Sequence, residues 1–245
     1  MKADPDAQRR LLDLQAIDTS LAQIAHRRKT LPELADLDRL ARELSALEDE
    51  RVRAQVSVDD IDRDIARLEK DIDQVRVRAD RDRARLDAGT GPARELEALQ
   101  HELATLSRRQ GELEDAELEL MEQREGAQAK LDQTTEQLTT TRTTRADTES
   151  RRDTAMNDLN KEYEWKASSR TPLVGDLPVD LVALYEKTRE STGMGAALLR
   201  GGRCGGCRLE LSGGERGRVR AAAPDEVVRC EECGRILVRT AESGL

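Results

Sequence analysis

The sequence predicts a mainly α protein, a long antiparallel coiled-coil hairpin followed by a small C-terminal β unit tied by four cysteines. Three observations predict it. Apolar residues recur alternately four and three positions apart from Leu37 to Leu86, and the same spacing resumes from Leu96 to Leu138. The chain of 245 residues is 37% charged and 1% aromatic, with no Phe, so no large globular core can be assembled from it. Its only four cysteines fall in two Cys-x-x-Cys pairs near the C-terminus.

A helix comes first, carrying Leu14, Ile17, Leu21, Ile24 and Leu31 at the same period, and it is expected to pack on the returning arm near Ala155 and Leu159. Thr30-Leu31-Pro32-Glu33 interrupts it, because proline suits a helix start and its predecessor avoids helical angles. The first arm then places Leu40, Leu44, Leu47, Ala54, Val58, Ile61, Ile65, Leu68, Ile72, Val75 and Ala79 on one seam, broken only by Arg51 and Asp82. So narrow a stripe has to find another helix. The partner arm follows a turn at Asp87-Ala88-Gly89-Thr90-Gly91-Pro92 and carries Leu96, Leu99, Leu103, Leu106, Leu113, Leu120, Leu131 and Leu138. An arm from Pro32 to Asp87 would extend about 80 Å at about 1.5 Å per residue. A disordered acidic chain would not keep this period.

A turn centred near Gly89 and Thr90 would set residue i opposite residue 179 − i, pairing Leu40 with Thr139. Thr134, Thr135, Thr139, Thr140, Thr141, Thr143, Thr144 and Thr148 then face the Pro32 interruption. These are β-branched residues of low helix propensity, and a joint is expected there. Past Tyr163 and Trp165 the period stops; Thr171-Pro172 through Leu177-Pro178 reads as a connector, followed by a short helix through Leu181, Leu184 and Tyr185. The expected domains are therefore residues 1–166 (helical hairpin, break near 30–33, tip near 87–92), 167–200 (connector and short helix) and 201–241 (four-cysteine unit). Trp165 and the two tyrosines are expected to pack the junction between them.

Cys204-Gly205-Gly206-Cys207 and Cys230-Glu231-Glu232-Cys233, with 22 residues between the pairs, have the spacing of a tetrahedral zinc site. Two intervening residues let one tight turn aim both sulfurs at a single ion, and Gly205, Gly206 and Gly234 let backbone amides approach the sulfurs. A redox pair would need one Cys-x-x-Cys in a βαβ setting, and disulfides do not persist in a reducing compartment. One structural Zn²⁺ held by Cys204, Cys207, Cys230 and Cys233 is expected, with no open position for catalysis.

Leu211-Ser212-Gly213-Gly214-Glu215-Arg216 resembles the signature loop of ATP-binding cassette ATPases, so an ATPase fragment is an alternative. Such an enzyme also needs a GxxxxGK[ST] loop and an apolar strand ending in acidic residues, neither of which is in this chain. The run is read as the glycine-rich connection between strands. His26 and His101 fall between seam positions and have no nucleophile or acid nearby in sequence. No enzyme is expected.

The order of hairpin, tip sequence Pro92-Ala93-Arg94-Glu95-Leu96-Glu97-Ala98-Leu99-Gln100, Leu181-to-Arg189 helix and C-terminal cysteines resembles one bacterial family. That family is the C4-type zinc-ribbon proteins with an N-terminal coiled-coil hairpin, long known as a domain of unknown function. The likeness covers nearly the whole chain and is sharpest at the tip and at Cys230-Glu231-Glu232-Cys233-Gly234-Arg235-Ile236-Leu237. It implies the same four zinc ligands, and partners of the kinds linked to family members, a sigma factor of the transcription machinery and RNA. Where the family usually has a proline-containing loop after the first cysteine pair, this chain has Leu211-Ser212-Gly213-Gly214.

Charge weighs these partners. Residues 1–166 carry 29 basic and 39 acidic side chains, and residues 167–245 carry 12 and 11. A near-neutral ribbon on an acidic hairpin offers phosphates little long-range attraction. A protein partner is therefore expected first. RNA or DNA is the runner-up, through Arg216, Arg218 and Arg220, which would share one face of a strand, or through tip arginines such as Arg85 and Arg94. A coiled-coil dimer is a third, structural reading, and monomer versus dimer stays open. No small-molecule substrate is expected. With no apolar signal core and no membrane-length apolar stretch, the protein is expected in the cytoplasm. The function expected is a non-enzymatic adaptor.

Overall fold

A computed structural model describes residues 1–245. Its helices are α1 (Pro5–Lys29), α2 (Pro32–Ala88), α3 (Ala93–Gly175), α4 (Val179–Thr192) and α5 (Gly213–Ala221). Its strands are β1 (Ala196–Arg200), β2 (Arg203–Cys204), β3 (Val228–Arg229) and β4 (Ile236–Val238). A short 3-10 turn, Ala241–Ser243, follows. The chain divides into two compact units, residues 35–149 and residues 1–34 with 150–245.

The 35–149 unit is a helical hairpin. Its seam is the heptad stripe: Leu40, Leu44, Ala54, Val58, Ile72 and Ala79 of α2 and Leu106, Leu113, Leu131 and Leu138 of α3 are buried. Asp82 keeps its seam position and is buried too, with Arg78 4.0 Å away and itself paired to Glu102 at 2.6 Å. The threonine-rich stretch stays helical because Thr134, Thr141 and Thr148, seven residues apart, take buried seam positions where leucine would otherwise stand. The hydroxyls of Thr134 and Thr139 donate to the carbonyls four residues back, which satisfies them inside the helix. Cross-arm pairs Arg76–Glu114, Arg124–Asp62 and Lys130–Glu50, each 2.6 Å, flank the seam. The register differs from the turn-centred estimate: Leu131 packs on Ala54 and Val58, not opposite residue 48. At the tip Gly89 takes φ +64, and the Pro92 carbonyl accepts from the Glu95 amide at 2.9 Å as α3 begins.

In the other unit Asp4 caps α1, accepting the Asp6 amide at 2.8 Å, and Thr30 ends it by donating to the His26 and Arg27 carbonyls. α3 runs into the expected connector, through Pro172 to Gly175, because Leu173 and Val174 pack on the core and offset the lost backbone hydrogen bond. That core gathers Leu11 and Leu14 of α1, Leu177, Leu181 and Tyr185 around α4, and Ala196, Ile236 and Val238 of the sheet. The sheet order is β2-β1-β4-β3, parallel between β1 and β4 and antiparallel elsewhere. The N-terminal segment joins its edge: Ala3 N–H donates to Asp225 O at 2.7 Å and Val227 N–H to Met1 O at 3.1 Å.

Beneath β1 lies a buried polar network. Gln15 Oε1 accepts from the amides of Gly195 at 2.7 Å and Ala196 at 3.3 Å, and lies 3.2 Å from the Tyr185 hydroxyl. Asp18 accepts from Tyr185 Oη at 2.8 Å and Arg170 Nε at 2.7 Å, and Arg170 also pairs with Glu186. Burial, then the Asp18 carboxylate, holds the Tyr185 phenol above its ordinary range, and the hydrogen bond to Asp18 raises the Arg170 guanidinium. A side chain at Gly195 would collide with the Tyr185 ring, so only glycine lets β1 start there. The aromatics divide: Tyr185 is fully buried, Tyr163 lies under the Arg28 guanidinium at 4.5 Å, and Trp165 is 64% exposed, correcting the expectation that it packs the junction.

Candidate metal centre

Two backbone turns of the same form carry the cysteines. In the first, Arg208 N–H donates to Cys204 O at 2.8 Å with Arg208 at φ +65; in the second, Gly234 N–H donates to Cys230 O at 2.8 Å with Gly234 at φ +72. The left-handed residue closes each turn so that both its sulfurs face one point. At Gly234 glycine adopts this without strain; Arg208 does so at a cost of about 1 kcal/mol. The sheet anchors both turns. Leu198 O on β1 accepts the Gly205 amide at 2.9 Å, and a Cβ on Gly205 would sit 2.8 Å from that oxygen, so the close approach requires glycine. Cys230 N–H donates to Arg235 O at 2.9 Å at the start of β4.

The four sulfurs lie within 4.8 Å of one another. Cys204 Sγ is 3.8 Å from Cys233 Sγ and Cys207 Sγ is 3.9 Å from Cys230 Sγ. A tetrahedron with sulfurs about 2.3 Å from its centre has edges of about 3.8 Å, and these two distances match it. Cys204 and Cys230 are buried; Cys207 and Cys233 are half-buried. Burial pushes the Cys204 thiol up and the Cys230 thiol up to about 12. At Cys233 burial works in the same direction, but the Arg235 amide and guanidinium and the neighbouring thiols outweigh it and bring the group down to about 7. Four sulfur donors of this kind suit a soft or borderline cation and fill its coordination sphere.

The segment between the cysteine pairs departs from its reading as a strand connection. Ser212 Oγ accepts the Glu215 amide at 3.1 Å and caps α5, so Leu211-Ser212-Gly213-Gly214-Glu215 is a helix start. Arg216, Arg218 and Arg220 consequently lie on a helix and not on one face of a strand. Arg216 pairs with Glu210 at 2.7 Å, Arg218 pairs with Glu231, and Arg220 is exposed on the last turn. Arg85 and Arg94 are exposed at the end of α2 and the start of α3, in the other unit.

Sequence reasoning missed three polar residues around the site. Glu215 is buried, and its Oε1 accepts the Glu231 amide at 3.0 Å. Arg235 Nη2 donates to Thr192 O at 2.7 Å at the end of α4, and its aliphatic stem covers Gly206. Arg239, on the far side of β4, donates to Ala222 O at 2.7 Å, Ala223 O at 2.6 Å and Glu226 O at 2.7 Å, gathering the turn after α5. A signal existed only for Glu215, in the Ser-x-x-Glu pattern of a capping box.

A profile of the CT398-like coiled coil hairpin domain matches residues 14–193, and one of the C4-type zinc ribbon domain matches residues 203–237. The chain is 41% identical over 239 residues to Rv2229c of Mycobacterium tuberculosis, covering 98% of each. A solved structure from Mycobacterium smegmatis is similar with a TM-score of 0.85 and 41% identity, over 98% of this chain and 100% of that one. CT398 from Chlamydia trachomatis shares the fold, with a TM-score of 0.69 and 21% identity over 95% and 97% of the two chains.

Proposed function

Since the chain belongs to the CT398-like coiled-coil hairpin family and ends in a C4-type zinc ribbon, we propose that it is a non-enzymatic adaptor. One Zn²⁺ bound by Cys204, Cys207, Cys230 and Cys233 holds the ribbon, and the protein's exposed surfaces bind another macromolecule, a protein first. The observation that carries this reading is the cluster of four sulfurs, all within 4.8 Å of one another and with two separations of 3.8 and 3.9 Å. A site filled by four thiolates has no position left for water or substrate, so its metal contributes folding free energy and not chemistry. The hairpin supports an interaction role, since most of its charged residues face outward around a narrow apolar seam. No helix is long and apolar enough to cross a membrane.

Nucleic acid is the weaker reading. Two of the three ribbon arginines are already paired with carboxylates, and residues two apart on α5 point to different sides of the helix. The test is a tagged pull-down from the native cell extract, split into nuclease-treated and untreated halves, with proteins identified by mass spectrometry and nucleic acid by absorbance. A defined protein that survives nuclease supports the adaptor. RNA recovery that is lost when Arg216, Arg218 and Arg220 become Glu, with proteins vanishing on digestion, would replace it.

A further inference from the structure

We infer that Glu215 is a positioning residue for the metal centre, and this rests on the zinc reading above. Glu215 is 4% exposed on α5, one turn before Val219, which packs in an apolar cluster with Cys204, Leu211 and Cys230. A buried carboxyl needs a hydrogen-bond partner to offset its loss of water. That partner is the Glu231 amide, which donates to Glu215 Oε1 at 3.0 Å. Glu231 is the residue after Cys230, inside the second cysteine turn, and Arg218 pairs with its side chain from the same helix.

The geometry separates the two ends of that turn. The Glu231 amide, at its start, donates to Glu215 Oε1 at 3.0 Å, whereas the Gly234 amide, at its close, donates to Cys230 O at 2.8 Å within the turn itself. Holding the peptide plane that follows Cys230 restrains the end of the turn that carries this sulfur. α5 thus acts as a strut: Ser212 caps its first turn, Glu215 reaches from that turn to the cysteine loop, and Val219 seats the next turn in the cluster. The second cysteine pair is held by a residue from the segment that separates it from the first. Acceptance by an oxygen, and not negative charge, is what the role requires, so glutamine serves as well as glutamate and alanine does not.

The experiment loads full-length protein with zinc, confirms the metal content by mass spectrometry, and follows zinc release to a chromogenic chelator. Glu215→Ala, Glu215→Gln and Ser212→Ala are compared with wild type. Ser212→Ala weakens α5 without removing the oxygen that meets the cysteine loop. Glu215→Ala is expected to release zinc about tenfold faster, Glu215→Gln to stay within about twofold of wild type, and Ser212→Ala to fall well short of the alanine variant at position 215. Cobalt-substituted protein gives a second readout, with the thiolate-to-metal bands altered in Glu215→Ala and retained in Glu215→Gln. Equal release from Glu215→Ala and wild type would overturn the inference while leaving the zinc site standing. Equal acceleration in Ser212→Ala and Glu215→Ala would overturn it in favour of a purely helical effect. Wild-type protein that holds no zinc would overturn both the inference and the zinc reading.

Discussion

Replacing Asp18 with alanine removes the centre of the polar network beneath β1. Its side chain is 3% exposed and accepts from Tyr185 Oη at 2.8 Å and Arg170 Nε at 2.7 Å, with Arg189 Nε at 3.5 Å. The substitution leaves a buried phenol and part-buried guanidinium groups without their carboxylate. Breaking a buried ion pair on one side costs about 3–5 kcal/mol. Arg170 is 26% exposed and keeps Glu186, which recovers part of that loss, so about 3 kcal/mol is expected. Asp18→Asn keeps an oxygen for Tyr185 but loses the charge, and should cost about 2 kcal/mol. Hydrogen exchange read peptide by peptide locates the effect. About 3 kcal/mol corresponds to exchange faster by about 100-fold in the globally protected amides of α1, α4 and β1. Peptides from residues 50–130 should not change. A cost below about 1 kcal/mol for Asp18→Ala, or a double-mutant cycle with Arg170→Ala showing no coupling, would refute the reasoning.

Alkaline pH should weaken the same unit. The Tyr185 phenol is raised by burial and by Asp18, so its contribution is full below the unfolded tyrosine pKa of about 10 and is lost as pH rises past it. In a Tyr163→Phe background, absorbance at 295 nm should show ionisation of Tyr185 only well above pH 10 or together with unfolding; a normal titration in a folded protein would contradict this. Chelating the metal, or changing Cys230 to Ser, should release the protection of β1 to β4 while the 35–149 hairpin keeps its helical circular dichroism, and a metal-free protein with an intact ribbon would rule out a structural zinc. In the hairpin seam, Leu131→Ala should cost about 2–3 kcal/mol because Leu131 is buried on Ala54 and Val58, whereas Leu118→Ala, at a side chain 59% exposed, should change thermal stability by less than about 0.5 kcal/mol. Equal effects at the two leucines would mean that the seam is drawn wrongly.

The hairpin was legible because its signal is local and redundant. One heptad position in error leaves the period intact, and the buried residues of α2 from Leu40 to Ala79 are the ones the spacing picks out. Even so, the threonines read as a weakness took seam positions, because seven-residue spacing and backbone-satisfied hydroxyls outweigh helix propensity in an 83-residue helix. The cysteine spacing was as legible, since each short turn aims its own two sulfurs the same way, although the sheet is what brings one pair to 3.8 and 3.9 Å from the other. Arg216, Arg218 and Arg220 were misplaced on a strand because alternation was weighed above the Ser-x-x-Glu start signal that precedes it.

By itself, then, the sequence determined what depends on neighbours along the chain: helix period, the proline and glycine breaks, and the form of each cysteine turn. Tertiary structure decided what depends on residues far apart. Gln15 reaching Gly195, Asp18 meeting Tyr185 and Arg170, Met1 and Ala3 pairing beside β3, and Glu215 holding the Glu231 amide are isolated contacts. None of them repeats. An isolated polar contact leaves no periodic trace, and its free energy grows as the fold withdraws its partners from water.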